Sequence, residues 1–188
     1  MLARFLLLIL AVSAAALLPC GHARAEDGYD LWLRYRPLPA HVLASLREEV
    51  SGVVLPPAPG PTLQAALDEL DRGWQGMTGT GLQRQAAPRN GSLLIGTAAS
   101  LPREVLTGLS LESAGDEGYV LRRLRAGGAE VTLIAANSER GLMYGSFALL
   151  AHLQRQATLA GLDESSAPQI TLRMLDHWDN LDGHVERG

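Results

Sequence analysis

The chain has 188 residues, a net charge of −4 and no lysine, so all 16 of its basic residues are arginine. A hydrophobic content of 47% with 19% charged residues is typical of a globular protein rather than a disordered one. Without lysine there can be neither a P-loop phosphate site nor Schiff-base chemistry. The acidic balance, with no basic stripe interleaved with aromatic residues, argues against nucleic-acid binding.

Residues 1–25 have the pattern of a secretory signal peptide. Arg4 supplies the positive start, residues 5–18 form an apolar run, and Ala23-Arg24-Ala25 offers small residues at both positions that a signal peptidase reads. We therefore expect export to the periplasm or the extracellular space, with no membrane association after the leader is removed. The single cysteine, Cys20, lies in this leader behind a proline that fits a lipoprotein cleavage box poorly. We expect no disulfide, no thiol chemistry and no lipidation.

The rest of the chain alternates strand-like and helix-like segments. The predicted elements are a strand over 29–35, a helix over 41–50, a strand over 53–55, a proline-rich loop over 56–61, a helix that Thr62 caps and that runs to about residue 70, a loop over 73–81, strands over 92–97, 118–124 and 130–136, a helix over 138–154, a polar loop, and a strand over 169–175. This order predicts an α/β (α+β) fold, in which helices cover a mixed β-sheet.

Two of these predictions depend on glycines. Ala126-Gly127-Gly128 lies between two apolar runs and predicts a hairpin turn. Gly141 and Gly145 are four residues apart in the strongest predicted helix, which Asn137 or Ser138 can cap. Because glycine is costly inside a helix, this spacing predicts that the helix backbone lies close to the sheet.

Residues 176–188 differ in composition from everything before them. They combine one tryptophan, two histidines, four acids and one arginine directly after the predicted last strand, where open sheets and barrels place ligand sites. Trp178 could give a sugar ring a flat apolar face, and Arg187 could pair with a substrate carboxylate in a forked geometry. A solvated loop with a turn at Asp182-Gly183 explains the residue types alone equally well.

The same residues fit neither a metal site nor a catalytic pair. An EF-hand loop needs an acid where Trp178 stands, and His177 and His184 would need distant ligands to bind zinc. The four acids are close in sequence, whereas glycosidase acid–base pairs usually come from separate barrel strands, so the pattern favours binding over catalysis. There is no nucleophile elbow, dinucleotide fingerprint or HExxH motif. We expect no metal, no cofactor and no catalytic residue in this chain.

The block His177-Trp178-Asp179-Asn180-Leu181-Asp182-Gly183, followed by Val185-Glu186-Arg187-Gly188, resembles the sequence that opens the catalytic barrel in α-glucuronidases of glycoside hydrolase family 67. Upstream, residues 27–35, 118–121, 134–138 and 141–150 resemble that family's first strand, its later strand pair and the following helix. A glycine-tyrosine-glycine helix is also shared with the accessory domain of β-hexosaminidases. His184 departs from the pattern, because a smaller residue is expected there.

After the signal peptide read from the residues (1–25), the resemblance implies an N-terminal α/β accessory domain (26–165) and the first strand of a truncated (β/α)8 barrel (166–188), in a parent enzyme that continues with the rest of the barrel and a helical domain. It implies a parent enzyme that removes (4-O-methyl)glucuronic acid, α-1,2-linked to xylo-oligosaccharides, with inversion and without a metal. The acid and base would lie on later barrel strands, outside these residues. The residues implied to line and support the sugar pocket are Trp178, Asp179, Asn180, Asp182, Glu186 and Arg187.

The implied partners are an acidic xylo-oligosaccharide (aldouronic acid) and the chain's own missing barrel, and a homodimer of the full-length enzyme is allowed. We expect the 188-residue chain alone to be inactive. Two other hypotheses stay open from the sequence. One is a free-standing periplasmic sugar-binding module built around Trp178, and the other is the accessory domain of a hexosaminidase-like hydrolase.

Overall fold

The computed structural model describes residues 33–170 and 172–174, and all of these except Leu33 belong to a compact unit that begins at Arg34. Its elements in chain order are α1 (Ala40–Glu49), β1 (Gly52–Val54), α2 (Pro61–Thr78), β2 (Ser92–Thr97), α3 (Arg103–Leu106), a 3₁₀ helix (Leu111–Ala114), β3 (Tyr119–Ala126), β4 (Ala129–Ala136), α4 (Glu139–Gln154) and β5 (Asp163–Ser166). The predicted signal peptide and Cys20 lie outside the described residues.

Within the described residues the strands form one mixed sheet in the order β1-β2-β4-β3-β5. β1, β2 and β4 are parallel, whereas β3 runs antiparallel to both β4 and β5. β3 and β4 are joined by Gly127-Gly128, whose φ angles of 57° and 84° are both positive, as a tight two-residue hairpin requires. The predicted mixed sheet with helices and the predicted hairpin are therefore confirmed.

The sheet separates two apolar layers. On one face α2 and α4 pack over buried side chains of the central strands, among them Leu93, Leu121 and Ile134. On the other face Leu94 and Leu133 lie beneath the short α3, the 3₁₀ helix and their loops. The first layer is the thicker one, because two long helices cover it.

Helix α4 lies as close to the sheet as its glycines predict. Ser138 caps the helix, and its Oγ accepts a hydrogen bond from the Gly141 N–H at 3.3 Å. A Cβ atom at Gly141 would lie 2.4 Å from the carbonyl oxygen of Gly118, and one at Gly145 would lie 2.5 Å from Cγ2 of Ile134. Both distances are too short for a side chain, so the predicted close approach is confirmed.

Helix α2 differs from its prediction at both ends. Thr62 does not cap it: the N-cap is Gly60, and Pro61 occupies the first position, where its missing N–H costs nothing. The predicted loop over 73–81 is also wrong, because the helix continues to Thr78 and ends at Gly79 in the left-handed conformation (φ 78°). The cause is tertiary packing, since a Cβ at Gly73 would lie 2.7 Å from Leu150 Cδ2. Close contact with another helix outweighs low helix propensity.

The first and the last predicted strands, the second of them implied to open the barrel, do not form within the described residues. Residues 33–35 are in no strand, and residues 29–32 lie outside the described part. At the other end, β5 forms over Asp163–Ser166, which was predicted as a polar loop, whereas residues 169, 170 and 172–174 are in no strand. Pro168 has no N–H to donate, so the ladder with β3 ends before it.

β5 forms despite its polar sequence because its backbone and its acidic side chains find partners on the neighbouring strand β3. Its backbone pairs with β3 from Tyr119–Ser166 to Arg122–Asp163. Arg122 Nε donates to Asp163 Oδ1 at 2.7 Å, and Tyr119 Oη donates to Glu164 Oε1 at 2.9 Å. Cross-strand pairs of this kind stabilise an edge strand that carries no apolar alternation.

Candidate functional site

The predicted sugar-contacting residues are not among the residues that the structure describes. They are Trp178, Asp179, Asn180, Asp182, Glu186 and Arg187, and their role stays a prediction. The described segment closest to them in sequence is 172–174, which contacts the domain through Arg173. The candidate site can therefore be built from the part of the domain that holds this segment.

The contact lies at the carboxyl edge of the sheet. The parallel strands β1, β2 and β4 end there at Val54, Thr97 and Ala136. β5 ends at the same edge, because Ser166 pairs with Tyr119, the first residue of β3. Open α/β sheets bind their ligands outside the carboxyl ends of their strands. As it runs toward residues 172–174, the chain thus leaves the sheet at the edge where open sheets generally place their ligand sites.

Four side chains meet at this edge, Glu117, Arg140, Tyr144 and Arg173, and we call them the edge cluster. Arg140 Nη1 donates to Glu117 Oε1 at 3.1 Å, and Arg173 Nη2 forms an ion pair with the other carboxylate oxygen, Oε2. The guanidinium carbon of Arg173 lies 5.6 Å from the centroid of the Tyr144 ring, a cation–π distance. Arg173 is therefore held between a carboxylate and an aromatic face.

The backbone around Glu117 is fixed by the turn between β4 and α4. Asn137 Nδ2 donates to the carbonyls of Leu111 and Gly115 at 2.7 and 2.9 Å. Ser138 Oγ donates to the carbonyl of Asp116 at 2.6 Å. These bonds involve only backbone atoms of the 111–116 segment. The backbone position of Glu117 therefore does not depend on the contacts of its own side chain.

The same turn also holds helix α2, through Glu139. Its Oε1 accepts from the Gly60 N–H at 2.7 Å, and its Oε2 accepts from the Leu63 N–H at 3.2 Å. The first N–H groups of a helix have no partner within the helix, so this carboxylate caps α2 from a different helix. In the sequence Glu139 is only an acid in the first turn of α4, and nothing local indicates this second role.

Two tyrosines of the domain, Tyr119 at the start of β3 and Tyr35 beside α2, have raised pKa values. Burial, together with the hydrogen bond to the Glu164 carboxylate, raises the pKa of Tyr119 to about 12. Burial and the Glu69 carboxylate raise the pKa of Tyr35 in the same way. Both phenols are therefore protonated at neutral pH, where they donate hydrogen bonds and do not act as general bases.

Two of the larger clefts lined by described residues lie outside the edge cluster. One of about 580 Å³, beside the ends of β1 and β2, is lined mostly by apolar residues and several prolines, with Glu104 its only ionisable group among the described residues. The other, of about 370 Å³ between α2 and residues 82–84, includes Asp68, Asp71, Arg72 and Arg84. Among the residues that the structure describes, neither is lined by an aromatic ring on which a sugar could stack.

In the part of the chain that the structure describes, no three His, Cys, Asp or Glu residues are grouped so that they could hold a metal ion. Its helices are also too short or too polar to cross a membrane.

Two protein-family models match the chain. The model of the glycosyl hydrolase family 67 N-terminus matches residues 31–149, well over half of the chain. The chain belongs to glycoside hydrolase family 67. The model of the family 67 middle domain matches residues 152–188, which include all six predicted sugar-contacting residues. The sheet draws on both matched regions, because β5 of the middle-domain match pairs with β3 of the N-terminal match.

Curated proteins similar to this chain include two from Aspergillus species. A probable α-glucuronidase A from Aspergillus terreus is 32% identical over 167 residues, and α-glucuronidase A from Aspergillus tubingensis is 29% identical over 168. Each match covers 87% of this chain but only 19% of the relative. Among solved structures, a family GH115 4-O-methyl-α-glucuronidase with specificity for decorated arabinogalactans shares 15% identity at a TM-score of 0.44, covering 55% of this chain and 13% of that one. A likeness this weak carries no conclusion about function.

Proposed function

We propose that this chain supplies the N-terminal region of an α-glucuronidase. The observation that carries the proposal is the match of 87% of the chain, at about 30% identity, to proteins named α-glucuronidase A. Since the chain spans only 19% of their length, the activity belongs to a protein that also contains the rest of the middle domain. The described domain would act as the support for that catalytic part.

The proposed reaction is hydrolysis of the α-1,2 bond between (4-O-methyl)glucuronic acid and a xylo-oligosaccharide. An inverting hydrolase needs two carboxyl groups roughly 6.5–9.5 Å apart, so that a water molecule fits between one of them and the sugar. We assign both to barrel residues beyond these 188. The substrate carries a carboxylate, and Arg187 offers the forked donor that suits it, while Trp178 offers the apolar face for a sugar ring.

The proposed partner of the described domain is the rest of this barrel. Ile170, Leu172 and Met174 occupy alternate positions in the sequence, and they are 66%, 72% and 84% exposed. Arg173, which lies between the last two, instead contacts Glu117 and Tyr144 of the edge cluster. We call the three exposed side chains the apolar row. Burying such side chains contributes about 1.5–3 kcal/mol each, which suits a surface that another part of the enzyme covers.

The activity test compares two proteins on the same aldouronic acid, with release of glucuronic acid measured by chromatography. The 188-residue chain should release none. A chimaera in which residues 31–188 replace the matched region of the Aspergillus tubingensis enzyme should retain activity, and Trp178→Ala in the chimaera should lower kcat/KM. Robust turnover by the 188-residue chain would overturn the proposal. Micromolar calorimetric binding of the sugar to that chain would instead support the free-standing binding module.

We also propose that the protein is exported and that its leader is removed after Ala25. The support is the residue pattern of the first 25 positions. Mass spectrometry of the N-terminus, after expression in a bacterium with a periplasm, should find a mature protein that begins at Glu26. Recovery of the intact N-terminus from the cytoplasm would contradict the proposal.

A further inference from the structure

We infer that Glu117 and Tyr144 are positioning residues, which hold Arg173 and thereby fix how the chain leaves the sheet toward residues 178–187. The inference rests on the proposed function for the role of those later residues, but the contacts themselves lie within the described domain. Arg173 forms an ion pair with Glu117, its Nη2 lies 3.5 Å from Tyr144 Oη, and its guanidinium is stacked near the Tyr144 ring.

The Glu117 carboxylate suits this task because its two oxygens serve two different arginines. Oε1 accepts from Arg140, which is part of α4, and Oε2 pairs with Arg173, which is part of the segment that leads away from the sheet. Its side chain is only 19% exposed, whereas the two arginines are 55% and 42% exposed. The less exposed carboxylate is thus the fixed centre, to which the more exposed segment is tied.

The contact also determines which side of the segment faces the domain. Arg173 contacts Glu117 and Tyr144, whereas Leu172 and Met174 on either side of it are 72% and 84% exposed. Glu117 and Tyr144 therefore make Arg173, and not its apolar neighbours, the residue of the segment that faces the domain.

This role can be separated from a role in the fold. Among the described residues, the hydrogen bonds and ion pairs of the Glu117 side chain involve only Arg140 and Arg173, while the loop that carries it is held through backbone atoms by Asn137 and Ser138. Removing the carboxylate should therefore loosen the segment and leave the domain as stable as before. Removal of a purely structural residue would instead lower the stability of the domain without loosening the segment specifically.

The test is hydrogen exchange on the full 188-residue chain, which requires no substrate and so stands whatever the outcome of the activity assay. In Glu117→Gln the amides of residues 170–174 should exchange roughly two- to fivefold faster, the range expected for loss of an exposed ion pair. The exchange rates of the β4 amides should not change, and neither should the midpoint of urea unfolding. The matched control is Asp116→Asn, because Asp116 lies 4.0 Å from Arg140 and is 72% exposed, and the structure gives it no contact with Arg173.

A double variant makes the test specific to the pair. If Glu117 acts through Arg173, then Glu117→Gln combined with Arg173→Gln should exchange no faster at 170–174 than Arg173→Gln alone. Additive acceleration would overturn the inference, as would unchanged exchange in Glu117→Gln or equal acceleration in Asp116→Asn. A lower urea midpoint in Glu117→Gln would assign the residue to the fold instead, and would overturn it equally.

Discussion

Replacing Glu139 by alanine is expected to destabilise the domain far more than its partly exposed position suggests. Its carboxylate accepts two N–H groups from the start of α2, at 2.7 and 3.2 Å, across a sequence distance of 76 to 79 residues. Among the residues that the structure describes, no other side chain caps α2, whose N-cap is a glycine. The variant would leave both N–H groups to water and disconnect the starts of two long helices.

The magnitude follows from these two bonds. Loss of one N-cap acceptor costs about 1 kcal/mol, and a hydrogen bond to a charged group is worth roughly 1.5–3 kcal/mol where water is excluded. Because both groups are only partly buried, we expect the sum to be near the lower limit, about 2 kcal/mol. For a domain of this size that corresponds to a decrease of roughly 4–8 °C in Tm.

Urea unfolding followed by tryptophan fluorescence measures this directly, because Trp74 is buried within α2. The matched control is Glu104→Ala, which removes an acid from the first turn of α3 that has no hydrogen bond to another element among the described residues. The control should change the free energy of unfolding by less than about 0.5 kcal/mol. A Glu139→Ala loss no larger than the control would refute the capping role.

A second substitution tests the geometry of the cap. A Cβ at Gly60 would lie 2.6 Å from Glu139 Oε2, so Gly60→Ala should displace the carboxylate and break both bonds. The φ of Gly60 is −72°, so the backbone itself accepts alanine. Gly60→Ala should therefore destabilise the wild type by about 1–2 kcal/mol but should have little effect in the Glu139→Ala background. Additive losses would show that the two residues act independently.

Three further changes have expected outcomes that urea denaturation checks. Gly145→Ala should cost about 1–3 kcal/mol, although alanine is the better helix former, because its Cβ would meet Ile134; a gain in stability would contradict the close packing. The fold raises the pKa of Tyr119 from 10 to about 12, so the stability that this tyrosine contributes is complete below pH 10 and is lost as the pH rises toward 12. In Tyr119→Phe the free energy of unfolding should therefore fall less steeply between pH 10 and 12. An unchanged pH dependence would contradict the assignment. Serine at all three positions of the apolar row should change the unfolding free energy by less than about 0.5 kcal/mol, and a larger loss would mean that the row is already buried.

The elements that could be predicted from the sequence are those whose signals are local. β2 occupies exactly the predicted residues 92–97, and the hairpin of β3 and β4 turns at Gly127-Gly128. Helix α4 begins after its predicted cap, Ser138, and its glycines face the sheet. In each case the turn residue, the cap or the apolar period lies within the element itself, so neighbouring residues contain the information.

The parts that were missed depend on residues far away in the chain. The start of α2 is capped by Glu139, and its glycine-rich second half stays helical because Gly73 lies against Leu150. β5 is a polar edge strand whose partners belong to β3. The strand predicted over 169–175 has the right alternation, but a strand also needs a neighbour. Local periodicity cannot supply one. The predicted sugar-contacting residues lie outside the described part, so their placement remains a prediction from sequence.

The energies at the carboxyl edge suggest a division of tasks in the proposed enzyme. The ion pair of Glu117 with Arg173 is partly exposed and worth at most about 1 kcal/mol, too little to hold a sugar-binding loop to the fraction of an ångström that catalysis requires. Burial of the apolar row against the rest of the barrel would contribute several times more, because three large side chains are 66–84% exposed. Apolar burial has no preferred direction, however, whereas an arginine between a carboxylate and an aromatic ring has one. We therefore expect the edge cluster to set the orientation of Arg173 and the barrel to supply the stability, so that substitutions in the cluster impair positioning while substitutions in the row impair assembly.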